Sequence, residues 1–257
     1  MSTTSTDIQP FAETVDEAAR SATAISQFPE NAFDVETAYR IQAASILRRL
    51  DRGELRSGIK MGFTSRAKMQ QMGVHDLIWG RLTDAMMIAE GEEVPMSRFI
   101  HPGVEPEIAF ILGDDVCGKL SIHDAMSRVE ALAPALEIID SRYENFKFSL
   151  ADVDADNASS SGYVIGPWCA PEEPIRNLGI VMSINERFRQ SGSTAAILGN
   201  PCRSLVHAAR LAELAGEPLQ AGWVVLAGAA TAAEHLQAGD RIHAEFQNLG
   251  SVGFSVR

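Results

Sequence analysis

The 257-residue chain is poor in cysteine, and Cys117, Cys169 and Cys202 are an odd number at irregular spacing with no C-x-x-C pair. That excludes a disulfide framework and a cysteine-built zinc site, and leaves three reduced thiols. Basic charge is also short: 22 Lys and Arg stand against 34 Asp and Glu, a formal net charge of -12, with no basic block to offset it. Nucleic acid and anionic membranes are excluded as partners, and an acidic substrate would have to meet local positive charge or a metal. No run of about eighteen apolar residues occurs, and the start lacks a basic segment followed by an apolar one, so a cytoplasmic protein is expected. The glycines form neither G-x-G-x-x-G nor G-x-x-x-x-G-K, and there is no G-x-S-x-G, which removes the common nucleotide loops and the nucleophile elbow. The six histidines lie at no metal-ligand spacing.

What is present is an ordinary globular composition, 46% apolar and 22% charged, long enough for one large domain or a small one joined to a larger one. Helical periodicity predicts helices over 11–24 and 34–50, the second capped by Asp34, then a short strand over 57–63 and a helical turn carrying Lys68 and Met69 that Gly73 ends. Whether the segment 68–80 closes as a lid stays open, and its Gly73 and Gly80 would permit hinges. Further on strands predominate, over 85–88, 107–112, 135–139, 163–165, 179–184, 224–226, 241–246 and 251–256, interrupted by helices over 121–132 and 201–214. Strands and helices do not strictly alternate, so the expected class is α+β with a mostly antiparallel or mixed sheet. The division is a helical N-terminal cap, 1–55, and a β-rich catalytic domain, 56–257.

In the strand-like run 104–112, Glu105 and Glu107 share a face with Ala109 and Ile111, while Val104, Pro106, Ile108, Phe110 and Leu112 take the other. Both faces read as buried. Two carboxylates placed there cost several kcal/mol each unless something cationic answers them. A third, Glu137, is embedded in the apolar run 134–139. Three glutamates from two strands form an oxygen-only ligand set, which suits Mg2+ or Mn2+ with positions left for water and a chelating substrate. Lys60, between Gly58 and Gly62 in a short apolar segment, either snorkels from a strand edge or points inward as a donor to an oxyanion. Asn157, Ser160 and Ser161 belong to a polar cluster that is either a turn or a set of donors for substrate oxygens. Arg142 either grips a substrate carboxylate or pairs with Asp140 or Asp156.

Four segments in the same order, 58–65, 104–110, 137–142 and 155–160, resemble the 2-oxopent-4-enoate hydratase and 4-oxalocrotonate decarboxylase group of the fumarylacetoacetate hydrolase superfamily. The resemblance runs from about residue 34 to the C-terminus. It implies a mixed β-sandwich roll with a small helical N-terminal part, a Mg2+ or Mn2+ site at Glu105, Glu107 and Glu137, and Lys60 in the active site. The hydratases carry an acidic residue just before an aromatic-glycine pair. Here that pair is Trp79-Gly80 and the residue before it is Ile78, which cannot move a proton. The decarboxylases are similarly apolar there, and the segments 68–73, 143–148 and 231–233 also look more like theirs. The activity implied is decarboxylation of a small 2-oxo dicarboxylate, (3E)-2-oxohex-3-enedioate, to 2-oxopent-4-enoate, with Ile78 lining the substrate site. The group also implies a homo-oligomer and a complex with the partner hydratase. Alternatives are a hydratase, for which Asp76 could handle the proton, and a non-catalytic partner subunit, against which the intact acids and Lys60 speak. A C–C hydrolase is disfavoured because no His-Glu pair is evident in the N-terminal part.

Overall fold

The computed structural model describes residues 7–65, 69 and 76–257, so the expected turn around Lys68 and Gly73 lies outside the described residues apart from Met69. Two helices open the chain, α1 at Gln9–Ser21 and α2 at Val35–Asp51. Pro10 occupies the first turn of α1, where a missing N–H costs nothing. The Asp34 side chain caps α2 by accepting a hydrogen bond from the Thr37 N–H at 2.8 Å, as the sequence predicts. The two helices share a small core of Ala12, Ala38, Ile41 and Ala44, which Ala155 completes from further along the chain.

Among the described residues thirteen strands follow: β1 Arg56–Gly62, β2 Ile78–Thr83, β3 Met87–Ile88, β4 Glu93–Val94, β5 Gly103–Leu112, β6 Val129–Ile139, β7 Ser160–Ile165, β8 Gly179–Ile184, β9 Arg187–Ser193, β10 Val224–Leu226, β11 Glu234–His235, β12 Arg241–Phe246 and β13 Gly250–Val256. Between them lie α3, Ile122–Met126, α4, Leu150–Ala155, and α5, Cys202–Ala215. The larger sheet runs β2-β1-β10-β5-β6-β7-β3 with β11 added to β5, and the smaller runs β4-β13-β12-β8-β9. The pairs β1–β10, β3–β7 and β4–β13 are parallel and the others antiparallel, which makes the sheets mixed, as expected for this α+β chain.

Ile108, Phe110, Leu132, Leu136 and Ile138 of the larger sheet meet Met182, Ile242, Phe246, Val252 and Phe254 of the smaller in one buried cluster. Each such side chain contributes about 1.5–3 kcal/mol on burial. The alternation that sends Val104, Ile108, Phe110 and Leu112 into this core turns Glu105, Glu107 and Ala109 to the opposite face. There Ala109, Ala135, Tyr163, Leu226 and Leu82 form a second, smaller cluster beside the acids.

Four expectations change, the first being that of the strand over 85–88 only Met87–Ile88 is strand, Asp84–Met86 forming a 3-10 turn. The helix over 121–132 is only α3, because Ser121 caps it but Val129 onward is drawn into an eleven-residue strand that pairs with β5 as far as Leu112. Residues 78–83 are a wholly buried strand, β2, paired with β1, and 187–193 form an exposed edge strand, β9. Neither alternates clearly in sequence, since one is buried on both sides and the other on neither.

Candidate active site

β5 and β6 pair so that Glu105 lies directly opposite Glu137 and Glu107 opposite Ala135. Like charges in that relation repel, so the register needs compensation. Part of it comes from β1: β10 bridges β1 to β5, which brings Lys60 onto the same face, and its Nζ lies 3.0 Å from Glu137 Oε2. Gly58 makes this closure possible. Its φ of +156° and the backbone of Val224 leave no room for a side chain, because a Cβ there would come within 1.9 Å of the Val224 carbonyl oxygen.

Lys60, Glu107 and Glu137 are buried, and Glu105 is partly so. The three carboxylates each offer an oxygen within 4.8 Å of the others. Glu107 Oε2 accepts a hydrogen bond from the Gly228 N–H at 2.7 Å, and Glu137 Oε1 accepts one from Ser160 Oγ at 2.8 Å. Glu107 Oε1 is buried with no hydrogen-bond partner. Burial, reinforced by Glu137, pushes the Glu107 carboxyl well above the usual carboxylate range, and Lys60 offsets only part of this. Burial pulls the Lys60 ammonium down, but Glu137, Glu107 and Glu105 together outweigh it and raise its pKa. One ammonium facing three acids leaves a deficit of positive charge. An all-oxygen donor set with an orphaned carboxylate oxygen fits a hard divalent cation.

Ser160 reaches Glu137 through an unusual turn. Asn157, Ala158 and Ser159 all have left-handed backbones, with φ of 52°, 50° and 60°. Arg142 holds both ends of that turn. Its Nε donates to Asp156 Oδ1 and its Nη2 to the Asp156 carbonyl, while Nη1 donates to Ser161 Oγ at 2.6 Å and to the Ser160 carbonyl at 3.3 Å. Asn157 fixes the turn to β2: its Oδ1 accepts from the Arg81 N–H at 2.7 Å and its Nδ2 donates to the Arg81 carbonyl at 2.9 Å. Gly80 lets the turn approach, since a Cβ there would lie 2.5 Å from the Asn157 carbonyl oxygen.

Of the residues singled out in the sequence, Lys60, Glu105, Glu107, Glu137 and Ser160 come together. Arg142, Asn157 and Ser161 stand behind them, with their polar groups engaged by the turn and by β2. Arg142 therefore pairs with Asp156, one of the partners left open in sequence. Ile78 packs with Val153 and Ala158, flanked by Phe63, Phe148 and Leu150. Trp79, its neighbour, faces the other way and stacks on Tyr39 with ring centroids 5.6 Å apart. Asp76 is 58% exposed and paired with Arg210 at 2.7 Å. Sequence reasoning missed the Gly228 N–H, whose signal is a glycine just past the end of a short apolar strand.

A rolled mixed sheet presenting three acids and a lysine on one buried face defines a class of enzyme built around a divalent cation. The chain belongs to the fumarylacetoacetate hydrolase family: the model of the fumarylacetoacetate (FAA) hydrolase C-terminal domain matches residues 60–257. It is 54% identical over 250 residues to a 4-oxalocrotonate decarboxylase from Pseudomonas sp., covering 97% of this chain and 98% of the relative. It is 38% identical over 222 residues to a "TodF product hydratase" from Pseudomonas putida, covering 85% and 83%. Among solved structures, 4-oxalocrotonate decarboxylase from Pseudomonas putida G7 complexed with magnesium and adipate superposes with a TM-score of 0.94 at 36% identity, covering 97% of each chain.

Proposed function

We propose that the chain is a carboxy-lyase that converts (3E)-2-oxohex-3-enedioate to 2-oxopent-4-enoate and CO2, a step in the breakdown of aromatic compounds by ring meta-cleavage. The observation that carries this is the Glu105–Glu107–Glu137–Lys60 cluster together with an apolar residue, Ile78, just before the Trp79-Gly80 pair. The overall likeness to the 4-oxalocrotonate decarboxylases supports it.

Glu105, Glu107 and Glu137 would hold Mg2+ or Mn2+, and the bound ion supplies Lewis-acid stabilisation for negative charge that grows on the 2-oxo oxygen of the substrate. The remote carboxylate is vinylogously β to that ketone. As its bond to the chain breaks, CO2 departs and the electron pair runs through the double bond to the 2-oxo oxygen. The resulting dienolate takes up one proton to give the product. Lys60, an ammonium paired with Glu137, donates a hydrogen bond to the developing oxyanion or to the acid-end carboxylate. Ser160 and the Gly228 N–H hold two of the carboxylates in place. Ile78 itself offers no acid or base to activate water, and the apolar wall it forms with Val153 and Ala158 favours loss of charge from the departing carboxylate. Asp76, turned outward to Arg210, does not supply the missing acid, which disfavours the hydratase alternative.

The same reading extends to a cytoplasmic homo-oligomer that associates with the hydratase consuming its product. Val181 and Phe188, 47% and 65% exposed on adjacent strands of the smaller sheet, are side chains available for such contacts. Sedimentation of the protein alone and with a hydratase tests the association.

The activity is tested by incubating metal-stripped protein with 2-oxohex-3-enedioate, with and without Mg2+, while following CO2 and the organic product. Metal-dependent CO2 and 2-oxopent-4-enoate are expected. No CO2, but water addition to 2-oxopent-4-enoate, would replace this assignment with the hydratase.

A further inference from the structure

Away from the carboxylate cluster, a cavity of about 260 Å³ opens where the ends of α1 and α2 meet the segments before β3, before β5 and after β6. None of Lys60, Glu105, Glu107 or Glu137 lines it. Its walls carry Arg20, Arg49, Arg98 and Arg142 against Glu54 and Asp140, an excess of positive charge in a protein whose net charge is -12.

The acids in the wall are largely engaged elsewhere. Asp140 accepts hydrogen bonds from the Ile100 and His101 N–H groups, both at 2.8 Å, and Glu54 accepts one from the Thr83 hydroxyl at 2.6 Å. Two of the arginines have partners of their own: Arg142 is taken up by Asp156, and Arg20 by Glu17 at 2.7 Å. The other two are less fully engaged. Arg49 is only 18% exposed, donates no hydrogen bond among the described residues, and has Glu54 no nearer than 3.8 Å. Burial pulls its guanidinium below its ordinary value, with Glu54 opposing and Arg142 adding to the shift. Arg98 has no acidic partner among the described residues and donates only to the Ala85 carbonyl. Both side chains line the cavity with donors left over, and the planar forks of Arg49 and Arg98 match the oxygens of a carboxylate or phosphate.

We propose that this cavity binds a small oxyanion carrying two negative charges, held by Arg49 and Arg98 at a site separate from the carboxylate cluster. The probes are inorganic phosphate and succinate, titrated calorimetrically into the full-length protein saturated with Mg2+. Saturable one-site binding that weakens as salt rises is expected, reduced tenfold or more by Arg49→Gln and by Arg98→Gln. Arg98 is exposed, so the second variant keeps the test meaningful if the first disturbs folding. Binding of phosphate alone assigns the site to phosphate compounds, and binding of succinate alone to dicarboxylates. No binding of either up to about 10 mM, or binding unchanged in both variants, would overturn the proposal.

Discussion

Replacing Arg142 with Gln separates the two roles that its sequence position allows. In the fold its guanidinium ties together both ends of the 157–159 turn, where three successive non-glycine residues hold left-handed backbones. Such a backbone costs about 1–2 kcal/mol per residue, so the turn stores roughly 3–6 kcal/mol that its anchors must offset. Removing one partner of a buried ion pair costs about 3–5 kcal/mol. Burial already pushes the Asp156 carboxyl up to about 6 with Arg142 holding it back, so without the guanidinium Asp156 takes up a proton near neutral pH and loosens its hold. The expected results are a melting temperature lower by roughly 10 °C and, as the turn relaxes and Ser160 leaves Glu137, a Mg2+ affinity weakened about 10–100-fold. Calorimetric Mg2+ titration and thermal unfolding read both, and Arg142→Lys should rescue only part, since it keeps the charge but loses the fork. If Arg142→Gln instead raises KM alone, with Mg2+ affinity and melting temperature unchanged, the arginine grips substrate and the clamp is wrong.

Lys60→Ala removes the cation beside three acids, so kcat should fall by about 100-fold or more while Mg2+ binding holds or tightens; equal loss of both would refute the donor role. Asp154 is wholly buried on α4, and burial pushes it up to about 8, the neighbouring Tyr39 hydroxyl offsetting part of this. Between about pH 4 and 8 the folded state therefore holds a proton that the unfolded chain has released, and this group makes stability fall as pH rises through that window. Asp154→Asn should gain melting temperature over the parent progressively up to about pH 8, and a constant difference would count against it. Gly80→Ala drives a methyl into the Asn157 carbonyl and should cost about 2–3 kcal/mol in urea unfolding together with lower activity.

The carboxylates were legible because a strand's two-residue period alone decides which side chains share a face, and Glu105, Glu107 and Ala109 obeyed it. Strand limits at 179–184, 224–226 and 241–246 came out as predicted for a related reason: each is a short run of β-forming residues flanked by breakers. The turn at 157–159 was not legible. Its residues permit several local conformations, and the left-handed one is selected by Arg142, fourteen positions before its anchor Asp156, and by the backbone of Arg81 on β2. Sequence likewise named Lys60 without its contact, because the neighbour that sets its place, β10, lies more than 160 residues further along the chain.

That last distance has a consequence for the order in which the protein can form. Lys60 emerges early during synthesis, but the strand bearing it stays unpaired on one edge until residues 224–226 exist, and Glu107 lacks its backbone donor until residue 228 does. The acids of β5 and β6 can pair as a hairpin long before either arrives, bringing Glu105 and Glu137 face to face with no cation to separate them. The nascent chain must therefore carry an unbalanced pair of carboxylates from the completion of β6 at Ile139 until residues 224–226 are made, and closure of the sheet by β10 is the late event that brings their counter-charge into place.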